Sequence, residues 1–180
     1  MGFSISWLAI KAASADEACA ALGLARAGGN SPYPDYTYSG AALPTGWYLV
    51  VGADEGYPAL LGKDMQGLSQ THDIVVCEVE EHVMFSSSAC WMGGTRTWSV
   101  IHDCDKGPNH LETEGTLPDD YEAIKSEVLA EQEEEDDDDD EVDFVFEVPL
   151  ELAKRLAGFK HDEVEVDGQE VSFEELRPAG

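Results

Sequence analysis

Positive charge is scarce in this sequence: 10 Lys and Arg stand against 38 Asp and Glu, a formal net charge of −28. That imbalance works against nucleic acid and anionic membrane surfaces, and it points to basic partners or metal cations. Cysteine is also sparse. Cys19, Cys77, Cys90 and Cys104 show no CxxC spacing, so neither a zinc knuckle nor a redox pair is signalled and the four read as reduced core thiols. Nowhere do about 18 apolar residues run together, and MGFSISWLAI has no basic segment ahead of its apolar one. No membrane span or signal peptide is expected, the protein reads as cytoplasmic, and no cofactor fingerprint is present.

What is there is enough for a core. A chain of 180 residues, 43% hydrophobic, supports one domain with a small appendage. Its acidity is partly local: Glu131 to Asp143 holds 11 acids, yet the remainder still sets 27 acids against 10 bases, a net −17. The folded part is therefore acidic in its own right.

The chain opens with a strand over Phe3 to Ile10, then a helix that Ser14 caps with Glu17 in a capping box, ending at Leu22-Gly23. Ala25 to Thr45, rich in Gly, Pro, Ser and Tyr, reads as a long loop. GWYLVV, Gly46 to Val51, suits a central strand, and a helix is predicted from about Ala59 to Ser69. Asp73 to Trp91 is extended with a bend near Glu80-Glu81. Met92-Gly93-Gly94-Thr95 then supplies a two-residue hairpin turn. After a strand near His110 to Glu114, a helix carries Tyr121, Ile124, Val128 and Leu129 into the acid block, where fraying is expected from about Glu133 to Glu141. DFVFEV reads as a strand, PLELAKRLAGF as a helix with Pro149 in its first turn and Gly158 near its end, and VEVDGQEVSF as a hairpin around Asp167-Gly168 with Val164 opposite Val171. The fold class that follows is α+β: a largely antiparallel sheet with helices packed on one face, over residues 1–130. An acidic linker, 131–143, and a small helix-hairpin element, 144–180, packed on the main domain, complete it.

The hairpin turn also sets a register. With Met92 facing Thr95, Trp91 faces Arg96, Ala89 faces Trp98, Ser87 faces Val100, Phe85 faces His102 and Val83 faces Cys104, which gives a mostly apolar face for the core. The opposite face carries Met84, Ser86, Ser88, Cys90, Thr97, Ser99, Ile101 and Asp103, with His82 at the open end. A hydroxyl, a base and an acid gathered there are what a hydrolase needs, so His82, Ser86 and Asp103, with Ser88 and Ser99 near, form a candidate catalytic set. No GxSxG elbow accompanies them. Among Glu80, His82, His102 and His110 as metal ligands, His102 projects to the apolar face, which leaves His82, Asp103 and Asp105 as the candidate metal set. DGQEVSFEEL resembles the second half of a calcium loop, with Gly168 at the turn and Glu174 as the closing acid. However, Glu170 stands where a hydrophobic residue is needed and Glu163 where the leading Asp should be, so a hairpin explains it better.

Aromatics in polar surroundings give a third set. Tyr33, Tyr36 and Tyr38 in the early segment, and Trp91 with Arg96 beside the Gly-Gly turn, are candidate interface anchors; the competing reading is a Trp–Arg stack and a loop pinned by its tyrosines. The acid block itself reads as a solvated linker, since it lacks the apolar periodicity that would hold charges on a rigid surface. GWYLVV, EEHVMFSS, the Trp98, Val100, His102 pattern and FEVPLELAKRLAGFKHDE resemble stretches of small uncharacterised bacterial proteins. That resemblance covers most of the chain and implies a bacterial cytosolic setting, with no activity to carry over. The leading expectation is a non-enzymatic binding module, inhibitor, immunity-type or regulatory, that engages a basic protein. Its alternatives are a small hydrolase or metal-dependent enzyme centred on His82 and Asp103, and a multimeric accessory protein whose polar sheet face is an interface.

Overall fold

A computed structural model describes residues 2–135, 143–163 and 165–180. Three short, almost wholly apolar strands organise it: β1 (Ser4–Ile10), β4 (Tyr48–Ala53) and β5 (Ile74–Glu80). Strands buried on both sides need cover on both sides. Around them β2 (Leu24–Ser31), β3 (Tyr38–Ala42), β6 (Phe85–Met92), β7 (Thr95–Asp103), β8 (Glu112–Gly115) and β11 (Phe173–Pro178) complete a nine-stranded antiparallel sheet in the order β2-β11-β3-β4-β1-β5-β6-β7-β8. The expected α+β architecture with an antiparallel sheet is present.

The helices divide between the faces instead of covering one alone. Leu8 and Ile10 of β1 point to a cluster with Ala18, Cys19 and Leu22 of α1 (Ala15–Leu22), Leu60 of α2 (Gly56–Leu61) and Met65 of α3 (Met65–Leu68). Trp7 and Ala9, one residue out of phase, point to the other side, where α4 (Tyr121–Glu135) and α5 (Glu147–Ala157) supply Ile124, Val128, Leu150 and Leu152. A strand's period of two thus feeds two cores at once.

Several local signals act as the sequence predicts. Ser14 accepts from the Glu17 amide and Glu17 reaches back to the Ala13 amide, a capping box one residue offset, and Gly23 ends α1 at a φ of 67°. Gly158 closes α5 at a φ of 90°, where Thr45 Oγ1 and Trp47 Nε1 donate to the last carbonyls, Ala157 O and Leu156 O. The β3–β4 turn is so tied to the end of α5. Asp167 and Gly168 both take positive φ, as a two-residue turn between β9 (Glu165–Val166) and β10 (Gln169–Glu170) requires. Val164, expected opposite Val171, lies outside the described residues.

Other expectations are corrected. The supposed loop from Ala25 to Thr45 contains β2 and β3; β2, LARAGGNS, is a sheet edge whose side chains are mostly exposed, so it shows no apolar alternation. It is held by β11, from the far end of the chain. The helix predicted from Ala59 to Ser69 is two short ones, broken at Gly62 and restarted where Asp64 caps the Gly67 amide. DFVFEV is not a strand: Asp143 Oδ1 accepts from the Phe146 amide, and the 3-10 turn Phe144–Phe146 leads straight into α5. Helix α4 continues through Glu133 to Glu135, and the rest of the segment expected to fray, 136–141, lies outside the described residues.

Candidate functional site

The β6–β7 hairpin decides which side chains can meet. Its turn forms as expected, with Met92 opposite Thr95 and Trp91 opposite Arg96, but a bulge follows at Thr97, whose hydroxyl donates to Cys90 O. Beyond it Cys90 faces Trp98, Ser88 faces Val100 and Ser86 faces His102. One added residue exchanges the two faces of β6. Ser86, Ser88 and Cys90 are therefore buried under α5 with Trp98, Val100 and His102, and Phe85, Ser87 and Ala89 lie on the opposite face, a reversal of the expected placement.

The candidate catalytic set does not assemble across that reversal. Ser86 Oγ is buried and donates to Phe146 O at 2.7 Å, whereas Asp103 lies on the other side of the sheet in a shallow acidic cleft with Glu78, Glu80 and Asp105. His82 is exposed and bonds through Nδ1 to Glu80 Oε1 at 2.8 Å; Ser4 Oγ, 3.1 Å from the same nitrogen, donates to that same oxygen at 2.7 Å. Ser4 and His82 hold the Glu80 carboxyl below its ordinary range. Ser4 Oγ and His82 Nδ1 converge on one Glu80 oxygen, so the three form a hydrogen-bonded cluster and not a chain in which the histidine stands between hydroxyl and acid. Ser99 is buried against Ala89.

Nor do the metal candidates converge. Asp103 accepts from the Asp105 amide and lies 3.6 Å from Lys106 Nζ, and His110 Nδ1 accepts from the Asp103 amide. Among the described residues no three His, Cys, Asp or Glu side chains are placed to hold a metal ion. Glu174 serves the fold, accepting from Arg26 Nε and from the Tyr48 hydroxyl. Of the aromatic anchors, Tyr38 belongs to the α1-side core, Tyr36 is half-buried, and Tyr33 is 55% exposed. Arg96 stacks over the half-buried Trp91 ring at 5.9 Å. Burial pushes the Cys77 and Cys90 thiols up, away from reactivity.

What the fold assembles instead is a cleft of about 790 Å³ between α4, α5 and the β5–β6 turn. Its apolar floor includes Met84, Ile124, Val128 and Phe146. Six acids line it, Glu81, Glu127, Glu131, Asp143, Glu147 and Glu151, against two bases, Arg155 and Lys160. Lys160 is spent on its neighbours: Nζ lies 2.7 Å from Glu147, 3.2 Å from Glu151 and 3.4 Å from Asp162. Burial alone would lower its pKa, but the Glu147, Asp162 and Glu151 carboxylates together outweigh burial and raise it. Glu127 and Glu131, one helical turn apart on α4, have no ion-pair partner among the described residues. Their mutual repulsion is relieved by any cation that enters.

Through Asp143, one of the acids of the cleft, His102 is tied to the segment that leads into α5. The ring is fully buried on β7; Nδ1 donates to His110 O at 2.8 Å and Nε2 meets Asp143 Oδ2 at 2.8 Å. Both nitrogens face acceptors, so the ring satisfies both only as an imidazolium. Burial pulls its pKa down, and the Asp143 and His110 bonds more than reverse that, leaving it raised. The spacing of Ile124, Glu127, Val128 and Glu131 is the one sequence signal that marks this cleft, since it puts acids beside an apolar stripe. Nothing local pairs His102 with Asp143, 41 residues away.

No protein-family model, curated protein or solved structure matches this chain.

Proposed function

We propose that this protein is a non-enzymatic binding module whose acidic cleft between α4 and α5 receives a basic, amphipathic segment of a protein partner, as an inhibitor or regulator would. The observation that carries the reading is the pairing of an apolar floor with Glu127 and Glu131, two acids along one wall that have no ion-pair partner among the described residues. Apolar side chains of the partner bury on Ile124, Val128 and Phe146 while its Lys and Arg meet the wall. A net charge of −28 steers such a partner from a distance and repels nucleic acid.

The test uses a labelled synthetic helix of alternating lysine and leucine turns, followed by fluorescence anisotropy. Affinity should fall steeply between about 0.05 M and 0.5 M salt. Glu127→Lys with Glu131→Lys should weaken binding roughly tenfold. An affinity indifferent to salt and to both substitutions sinks the proposal.

A further inference from the structure

A second, smaller cavity adjoins this cleft. About 190 Å³ in volume, it lies between the start of β1, the turn through Pro32, Tyr33 and Pro34, and the chain leaving α5. Its walls are aromatic: Phe3, Tyr33, Phe159 and Phe173. Phe159 stands edge-on to Trp7 at 5.6 Å and packs on Phe173 at 6.3 Å, so the rings continue from the core to the surface. Among the described residues four large hydrophobic side chains are exposed, Phe3, Tyr33, Val83 and Met92, and two of them line this cavity.

His161 forms part of the same wall, edge-on to Phe3 at 5.1 Å, with its side chain 2% exposed. Nε2 lies 3.0 Å from Glu81 Oε1, and Glu81 Oε2 accepts from the Phe3 amide at 2.8 Å. A carboxylate accepts, so Nε2 carries a proton, and of the two neutral tautomers this is the one that leaves Nδ1 an acceptor. That Nδ1 is buried and has no hydrogen-bond partner among the described residues. Buried ring acceptors are nearly always satisfied, and an orphan against a cavity calls for a donor.

We infer that this cavity takes one lysine or arginine side chain of the partner, an inference that rests on the binding reading above. Aromatic faces attract a cation, and Nδ1 needs an N–H, so the pair selects a primary ammonium or a guanidinium over a quaternary ammonium or a neutral alkyl group. Asp162 and Glu163 at the rim turn anions away; each already shares a lysine, Lys160 at 3.4 Å and Lys154 at 2.5 Å, so the rings and Nδ1 supply most of the selectivity. Glu81 connects the two sites, lining the large cleft while it fixes the His161 ring. A segment lying in the cleft presents one cationic side chain to the cavity next door.

The full chain, ¹⁵N-labelled at histidine, is titrated with n-butylammonium, tetramethylammonium and butanoate while the His161 ring nitrogens are followed by NMR and assigned through bonds. Only butylammonium should give a saturable Nδ1 shift. Tyr33→Ala, at an exposed ring that the fold does not need, should weaken that response about three- to fivefold. No saturable shift, or an equal response to tetramethylammonium or butanoate, overturns the cation pocket. The lysine–leucine helix separates the two readings: if it fails to bind while butylammonium still shifts His161, the cleft proposal falls and with it the partner's lysine as occupant. If the helix binds and His161 is silent, the cavity inference falls alone.

Discussion

His102 and His161 are both buried histidines whose Nε2 meets a carboxylate, and they differ in what the other nitrogen finds. Nδ1 of His102 has the His110 carbonyl; Nδ1 of His161 has no partner among the described residues. The first is saturated and behaves as a fastener, tying the chain after the acid segment to β7. The second is half-satisfied and lines an aromatic cavity. Burial alone does not separate a structural histidine from a binding one, whereas a count of satisfied nitrogens does.

The sharpest way to break the comparison is to remove the carboxylate from the saturated pair. Asp143→Ala leaves the His102 ring buried without its counter-charge and also strips the cap from the 3-10 turn at Phe144–Phe146, a loss of about 2–3 kcal/mol that urea unfolding would read as a lower midpoint. A smaller effect is expected from pH. Because the His102 pKa is raised in the fold, its contribution is whole below the unfolded value of about 6.5 and is lost as pH climbs through the folded value. Stability measured from pH 6 upward, as a difference between the wild type and His102→Gln, should therefore shrink with rising pH; a constant difference contradicts a buried imidazolium.

Smaller again is Glu81→Gln. One accepting oxygen is replaced by a donor, so either the Phe3 amide or His161 loses its acceptor, for about 1 kcal/mol by the same urea assay. Smallest is Ser88→Ala. The Ser88 hydroxyl is buried with no hydrogen-bond partner among the described residues, and removing it should leave the midpoint unchanged or slightly raised. A loss above about 1 kcal/mol would mean that the hydroxyl is satisfied, and that an orphan polar atom is a poor guide in this molecule.

How far the site was legible follows from the range of each signal. Ile124, Glu127, Val128 and Glu131 are close in sequence, and their helical spacing alone places acids next to an apolar stripe. His161 with Glu81 and His102 with Asp143 are joined across 80 and 41 residues, so no local pattern announces them. The serines of β6 were misplaced for a different reason. Their alternation is read correctly, but alternation names two faces without saying which is inner, and the bulge at Thr97 settles it by one residue.

By itself the sequence determined what depends on neighbours in the chain: the strand character of β1, β4 and β5, the capped start of α1, the Gly-Gly and Asp-Gly turns, the helical runs of α4 and α5, and a formal net charge of −28. Tertiary structure alone decided the rest. It made an edge strand of LARAGGNS by pairing it with β11, placed helices on both faces of the sheet, and turned DFVFEV from a strand into the lead of a helix. In the first two cases the deciding contact is long-range, and local propensity is too weak to oppose the pairing and burial it brings; in the third a local cap from Asp143 to the Phe146 amide acts together with the bond from Asp143 to His102, 41 residues away.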